Sequence, residues 1–376
     1  MKRNMNFLRQ GSGSNFFSKM VDVPLVAVNV ILVVCMALAS FSDRVRPTDS
    51  LVVSELGLGF PILLVLSVLF MLFWLARLKW SFLISLFGII LSFNCCVKTL
   101  AFNKEKDDKD RSFKLMTYNV HLFNFYTELS RNEILKYLSE SDADVLCLQE
   151  FGYSTNEKSN HLKEKEIFAE LKKKYPYNHI DVARIKNGSY GVAILSRYPI
   201  LNKGKVEYIS QYNSSLYADV EIKGKIIRIY NCHLESNKLT ENDKNLVKNF
   251  GKEMSTEKMN EVVSHLSKKL SDAYVLRERQ ADRIASEVPV SPHPVIVCGD
   301  FNDVPVSYAY SKIKGDDLND AFVDAGFGYC YTFRENMFWF RIDHVLYDKT
   351  MEVLSYKVGD LKASDHYPVE CSFKWK

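Results

Sequence analysis

The stretch VIVCGDFND, Val295–Asp303, decides how this chain is read. Four apolar residues run straight into Gly-Asp-Phe-Asn-Asp. A short apolar run bounded by turn residues reads as a strand buried on both faces. Burying a carboxylate is unfavourable unless the group is paired or used. A strand that stops on Asp300, Asn302 and Asp303 therefore reads as a rigid holder for a site at a sheet edge. Gly299 is expected to let the backbone pass close to a bound group, and Asp303 to cap the turn that follows.

Working outward, the same arrangement recurs. MTYNVH ends a strand at Asn119 and His121, VLCLQE ends one at Glu150, and IYNCHLES places His233 at a strand end. RIDHVLYD sets Asp343 near a strand start, and ASDHYPVE sets Asp365 and His366 just before the last strand. The set offers carboxylates, neutral amides and imidazoles, with no thiolate cluster. Carboxylates without thiolates suit a hard cation such as Mg²⁺ or Mn²⁺, which can neutralise a phosphate and polarise its ester. A histidine can bind a phosphate oxygen or transfer a proton near neutral pH. The sequence has no GxSxG elbow, no HExxH and no P-loop. The inventory points to water attacking phosphorus. Arg341 and His121 are further candidates for contacting phosphate, with ordinary surface roles as the alternative. Tyr190, Arg197 and Tyr198 read as strand-framing residues, and His344 as packing beside the site.

Strand-like runs alternate with helical ones from Phe113 onward. Strands are expected at FKLMTYNV, DVLCLQ, YGVAILS, YADVEI, IIRIYNCH, VIVC, IDHVLY and YPVECSF, and short helices at Arg131–Ser141 and Lys163–Lys174. Lys223-Gly224-Lys225 reads as the turn of an antiparallel hairpin, which argues against a purely parallel sheet. Helical spacing of apolar residues from Met259 to Val288 predicts one long helix from Thr256 to about Val288, with Asp272 as a candidate break. Lys238–Met254 reads as a second helix or a flap. Alternation of this kind indicates a layered α/β fold.

The ordered set NVH, LQE, HLES, GDFND, RIDHV and SDHYPV resembles the endonuclease/exonuclease/phosphatase superfamily over about Phe113–Trp375. The resemblance implies a four-layered αββα sandwich of two packed mixed sheets, with the site at one end. It also implies roles. Glu150 matches the metal-binding glutamate and Asp365 a second metal-side carboxylate. Asn119 matches the asparagine that helps to hold the metal-bound phosphate site. Asp300 and Asn302 match the pair that positions or deprotonates the water and contacts the phosphate. His366 matches the histidine on the scissile phosphate, and Asp343 the carboxylate that orients it. His233 matches a histidine that some branches use as phosphate ligand or general acid. His121 departs from the pattern: some nucleases carry an aspartate there, so a second metal position is open.

The first hundred residues have a different character. Three uncharged apolar runs, Val23–Phe41, Leu56–Ala76 and Trp80–Val97, are each bounded by charge. A bilayer core takes roughly 20 apolar residues in a helix, so three transmembrane helices are expected within a membrane anchor, residues 1–100. Ala37-Leu38-Ala39 resembles a signal-peptidase site, but the run is longer than an h-region of roughly 7–15 residues, so it reads as a retained span. Lys2, Arg3, Arg9 and Lys19 precede the first run, and Arg77 and Lys79 fill the second turn. Positive residues favour the inside. The expected placement is thus a bacterial inner membrane, with residues 113–376 extracytoplasmic behind a charged linker, 101–112. Five cysteines in the domain, with no CxxC, read as small buried hydrophobes and argue mildly against an oxidising compartment.

Charge narrows the function. Residues 101–376 hold 40 Lys and Arg against 41 Asp and Glu, so the overall +4 comes from the anchor. A domain that grips nucleic acid by its backbone is usually basic. The leading expectation is a membrane-anchored, divalent-metal-dependent phosphoesterase acting on a phosphate ester or phosphodiester, with a lipid-linked substrate within reach. The alternatives are a surface endonuclease or exonuclease on DNA or RNA, and an inactive membrane-tethered binding module. The second of these predicts losses among Glu150, Asp300, Asn302, Asp365 and His366, and all five are present. Oligomeric state is not legible.

Overall fold

Two six-stranded mixed sheets face each other in the computed structural model. It describes residues 12–376 apart from 105, 125–127, 157, 160, 186–187, 211, 249–254 and 336–337. Lys2, Arg3, Arg9 and the end of the expected Lys238–Met254 segment lie outside the described residues. The first sheet runs in the order Met351–Val358, Val369–Trp375, Phe113–Asn119, Val145–Phe151, Gly188–Ser196, Tyr177–Ile185. The second runs Leu318–Asp320, Asp343–Asp348, Val295–Asp300, Lys225–His233, Ser215–Ile222, Ile200–Val206.

Each sheet contains one parallel pair at its centre. Phe113–Asn119 runs parallel to Val145–Phe151, and Lys225–His233 parallel to Val295–Asp300. Parallel strands end at the same edge, so four motif ends converge at one end of the sandwich. The expected hairpin is present: Ser215–Ile222 pairs antiparallel with Lys225–His233. Its turn residues Lys223 and Gly224 both have positive φ, as a two-residue type I′ turn requires.

Packing supplies four layers. Between the sheets lie Leu115, Cys147 and Ile194 against Ile229, Ile296 and Val345. Cys298 and Cys371 join them as small hydrophobes. On the outer face of the first sheet, Ile134 and Leu138 of helix Glu128–Glu140 and Ile167 of Glu164–Leu171 cover Leu146 and Leu148. On the outer face of the second, Ala281 and Ile284 of the long helix cover Val295 and Val297. That helix runs unbroken from Thr256 to Glu287, without the break at Asp272. Ser255 caps its start by accepting from the Lys258 amide. Asp272 stays within it because its carboxylate simply faces outward on an amphipathic helix.

The apolar third of the chain departs from three straight spans. One helix, Ser12–Ala39, is long and apolar enough to cross a membrane, over Met20–Ala39. The second run is two helices, Leu51–Leu58 and Phe60–Ala76, bent by 63°. The third is Phe82–Leu91 and Phe93–Thr99, bent by 75°. The count reaches three only if each bent pair is one span. The physical cause of the first bend is Pro61, which starts the new helix where its missing N–H leaves no bond unmade. Helix Phe82–Leu91 has 10 residues, about 15 Å of rise, half of a roughly 30 Å hydrocarbon core.

The linker is not a free tether. Ala101 and Phe102 pair with Gly328 and Phe327, and the Asn103 side chain donates to the Val323 carbonyl at 2.7 Å.

Candidate active site

Register builds the site. Asp343 is the cross-strand partner of Asp300, and Asp300 is the partner of His233, so the three lie in one row across the second sheet. Asn119 sits opposite Gln149 in the first sheet, beside Glu150. Beneath these rows Gln149 and Asn231, both fully buried, clasp the sheets together. Gln149 Nε2 donates to Asn231 Oδ1 at 2.6 Å, and Asn231 Nδ2 donates to the Leu148 and Ala193 carbonyls. This amide clasp fixes the spacing of the two sheets directly under the chemistry. The sequence reading missed Asn231, since nothing in IYNCH marks an inward-facing amide as structural.

Asn119 joins the two halves. Its Nδ2 donates to Asp300 Oδ2 at 2.9 Å and lies 3.3 Å from Glu150 Oε1. Its Oδ1 accepts from the His121 amide at 3.0 Å. Asn119 thus orients two carboxylates, and its Oδ1, which accepts one backbone hydrogen bond, keeps a second lone pair.

Asp300 is 1% exposed. Burial raises its pKa to about 6, against the pull of His366. His366 Nδ1 lies 2.9 Å from Asp343 Oδ2, and its Nε2 lies 3.6 Å from Asp300 Oδ2. Burial opposes a charge on this ring, but Asp343 and Asp300 prevail and raise its pKa well above the usual value. His233 behaves oppositely. It is buried, its pKa is lowered by desolvation, and neither ring nitrogen has a hydrogen-bond partner among the described residues. Its Nε2 faces Asp300 at 3.8 Å and Glu150 at 4.0 Å. The two histidines beside Asp300 are thus shifted in opposite directions.

His121 and Asp365 form a second pair, Nδ1 to Oδ1 at 3.2 Å. Burial would raise the Asp365 carboxyl, yet the His121 bond and the His366 charge leave it below the usual range. Asn302 is fixed at both ends: its backbone amide donates to Asp300 Oδ1 and its Nδ2 to the Leu234 carbonyl. Glu150, Asp300, Asn302, Asp365 and His366 all line one cavity of about 380 Å³.

Several expectations change. Arg341 does not reach the cavity. It is 2% exposed, bonded to Asp320, His344 and the Lys98 carbonyl, and stacked 4.1 Å above Phe322. A buried guanidinium needs hydrogen-bond partners, and these engage both of its terminal nitrogens away from the site. Gly299 serves its neighbour strand, not a ligand: at φ +129° a Cβ would lie 2.0 Å from the Cys232 carbonyl. Asp303 does more than cap, accepting from Arg277 Nε at 3.2 Å as well as from the Val304 amide. Arg277 also donates to the Glu235 carbonyl and Asn237 Oδ1, both at 2.8 Å. The long helix thereby braces two loops of the site. Arg277 was illegible because an arginine on an amphipathic helix reads as solvated. His344 packs between Phe301 and Tyr310, as expected. Tyr190 sits with its ring 6.2 Å from that of His233.

Three side chains, Asp300, Asp343 and His366, offer ligand atoms within 4.8 Å of one another. Within it His366 is held by Asp343 at 2.9 Å and faces Asp300 at 3.6 Å. Glu150 and Asp365, which line the cavity, offer the carboxylate oxygens that a hard divalent cation takes.

Residues 116–366 match the model of the endonuclease/exonuclease/phosphatase family. Residues 19–99 match a model described only as a domain of unknown function. No curated protein matches. Among solved structures, the chain is similar to the endonuclease/exonuclease/phosphatase from Bacteroides vulgatus, at 17% identity and TM-score 0.48, covering 70% of this chain and 99% of that one. It is also similar to one from Beutenbergia cavernae, at 19% identity and TM-score 0.46, covering 70% and 71%. A third is truncated TDP2 of Caenorhabditis elegans, at 15% identity and TM-score 0.45, covering 69% and 97%. The chain belongs to the endonuclease/exonuclease/phosphatase family. It is a hydrolase that acts on phosphate ester bonds.

Proposed function

We propose that the protein is a membrane-anchored, divalent-metal-dependent phosphoesterase whose substrate is a phosphate ester or phosphodiester presented at the bilayer surface. The observation that carries the chemistry is the row Asp343–Asp300–His233 with His366 held between two carboxylates. The imidazolium of His366 lines the cavity as a positive partner for a phosphoryl oxygen, and Asp343 fixes its ring. Asp300, ionised at neutral pH with a pKa of about 6, is matched to accept a proton from an attacking water. Neutral His233 is suited to donate a hydrogen bond from its ring N–H to a phosphoryl oxygen. Asn302 and Asn119 hold Asp300 in place, and displacement at phosphorus rewards positioning above all. Glu150 and Asp365 would hold a Mg²⁺ or Mn²⁺ ion, which supplies Lewis-acid polarisation and neutralises charge on the phosphate.

Anchoring is supported by the apolar outer surface of the helical region. Ile31, Val34, Ile62, Val65, Leu69, Leu72, Phe87 and Ile90 are all exposed, a surface that suits lipid and not water. With the N-terminus inside, either one or three crossings leave the catalytic domain outside, consistent with an inner-membrane protein acting extracytoplasmically. The near-neutral domain argues against a nuclease.

The test uses the full chain in lipid nanodiscs with Mg²⁺ or Mn²⁺. Its substrates are plasmid DNA, RNA, a phospholipid diester, an inositol polyphosphate and an isoprenyl pyrophosphate. Metal-dependent turnover of the lipid substrates is expected. Preferential cutting of DNA or RNA would replace this reading with the nuclease, and metal-binding without turnover would favour a binding module.

A further inference from the structure

The catalytic cavity has one wall that hydrolysis of phosphate does not explain. Beside its polar groups it is lined by Leu58, Leu239, Leu266, Leu270, Phe340 and Ile342. Leu58 does not belong to the catalytic domain. It ends helix Leu51–Leu58, and the next residue, Gly59, is the bend that opens the apolar helix Phe60–Ala76. Leu266 and Leu270 come from the long helix, one turn apart on the same face. The two helices are fastened where they meet. Ser267 Oγ donates to Glu55 Oε1 at 2.6 Å. Arg46 Nη1 and the Thr48 amide donate to Glu278, at 2.8 and 3.0 Å. Ser42 Oγ donates to the carbonyl of Val306, three residues beyond Asp303 of the catalytic loop. The apolar wall is therefore held at a fixed place beside Asp300 and His366.

We propose that helix Leu51–Leu58 is part of the substrate site, and that the substrate is a phosphate ester carrying an apolar chain, with the chain lying along Leu58, Leu266 and Leu270. This deepens the phosphoesterase reading and rests on it. Three features argue for this occupant. A cavity serving a wholly polar phosphate would gain nothing from these apolar side chains facing the same space as Glu150, Asp300, Asp365 and His366. The wall leads, through Leu58 and Gly59, into the apolar helix Phe60–Ala76, so a chain leaving the cavity along it stays out of water. The polar ties at Glu55 of helix Leu51–Leu58 and Glu278 of the long helix do not line the cavity, so they fix the wall without competing for a ligand.

The experiment measures chain-length dependence in the full chain in nanodiscs. The probes are p-nitrophenyl alkyl phosphodiesters with methyl, butyl, octyl and dodecyl groups. In the native protein kcat/KM rises with chain length, by up to about fourfold for each methylene brought onto the wall. Leu58→Asn and, independently, Leu270→Asn flatten that rise. The two variants change different helices, so a folding defect in one leaves the other as the test. Partition into the nanodisc is common to all three proteins and cancels in the comparison. A flat dependence in the native protein, with the methyl ester still hydrolysed, overturns the inference while leaving the phosphoesterase reading intact. A rise that survives in both variants overturns it as well, by assigning the effect to the membrane alone. Failure to hydrolyse even the methyl ester in the presence of metal removes the reading beneath it.

Discussion

Asp343 shows what a single residue contributes at this site. It is fully buried beside Asp300 and His366, and with Asp300 it raises the pKa of that ring. Asp343→Asn keeps the shape and removes the charge. The His366 pKa should then fall toward its ordinary value of about 6.5. Activity that needs the imidazolium should be lost at lower pH, with the alkaline limb of the kcat/KM profile moving acidward and the maximum falling about 10²-fold or more. An unchanged limb would assign the charge elsewhere. His344 makes a different pH prediction. Burial and the adjacent Arg341 lower its pKa to about 3, and its Nε2 lies 2.9 Å from the Asp303 carbonyl. The folded ring stays neutral where the unfolded one takes a proton. Its contribution to stability is complete above pH 6.5 and is lost as pH falls toward 3, by at most about 1.4 kcal/mol per pH unit. Melting temperatures of His344→Gln between pH 6.5 and 4 should therefore fall less steeply than those of the native chain, whatever the absolute offset. The motif residues were legible because strands that end in carboxylates and histidines are chemically conspicuous. Arg341 was misplaced for the same reason: a charged residue beside a motif looks functional until its burial and partners are known.

At the scale of elements, legibility followed burial. Strands in the middle of the sheets, such as Val145–Phe151 and Val295–Asp300, have unbroken apolar runs and were found to within a few residues. Edge or near-edge strands were missed. Ile200–Val206 reads ILNKGKV and is exposed at most positions, and Tyr177–Ile185 and Met351–Val358 mix polar and apolar residues at the outer edges of the first sheet. Such segments owe their strand conformation to a neighbour's ladder and not to their own pattern. The long helix was legible by period, but its purpose was not. Arg277, 1% exposed, ties that helix to Asp303 and to the Glu235–Asn237 loop. Arg277→Met leaves Asp303 buried without its partner, which should lower stability by about 3–5 kcal/mol. The kcat/KM should fall too, as both loops loosen. Adding Asp303→Asn should recover part of the melting temperature, because the uncompensated charge is gone. Additive losses in the double variant would deny the pairing.

Over the whole molecule, the apolar region and the catalytic domain are joined by more than a tether. Lys98 binds Asp43 and Ser311, its carbonyl accepts from Arg341, and Glu278 receives Arg46 and Thr48. None of these contacts could be read from the sequence, since each joins residues more than 50 positions apart, most of them more than 200, without a motif to mark it. Glu278→Ala should loosen the junction, seen as faster limited proteolysis near residues 42–50, while the Asp300–His366 geometry is retained. Unchanged cleavage would mean that the junction is held by its apolar contacts alone. The central claim is that phosphoester hydrolysis runs on Asp300 and His366. Its most direct test is the initial rate of p-nitrophenyl methyl phosphate hydrolysis by the full chain in nanodiscs with Mg²⁺, beside Asp300→Asn and His366→Ala. The account predicts losses of about 10³-fold or more in each variant, with activity abolished by a chelator and restored by the metal. A variant that keeps its rate to within about tenfold, the size of a merely indirect effect on positioning, would contradict it.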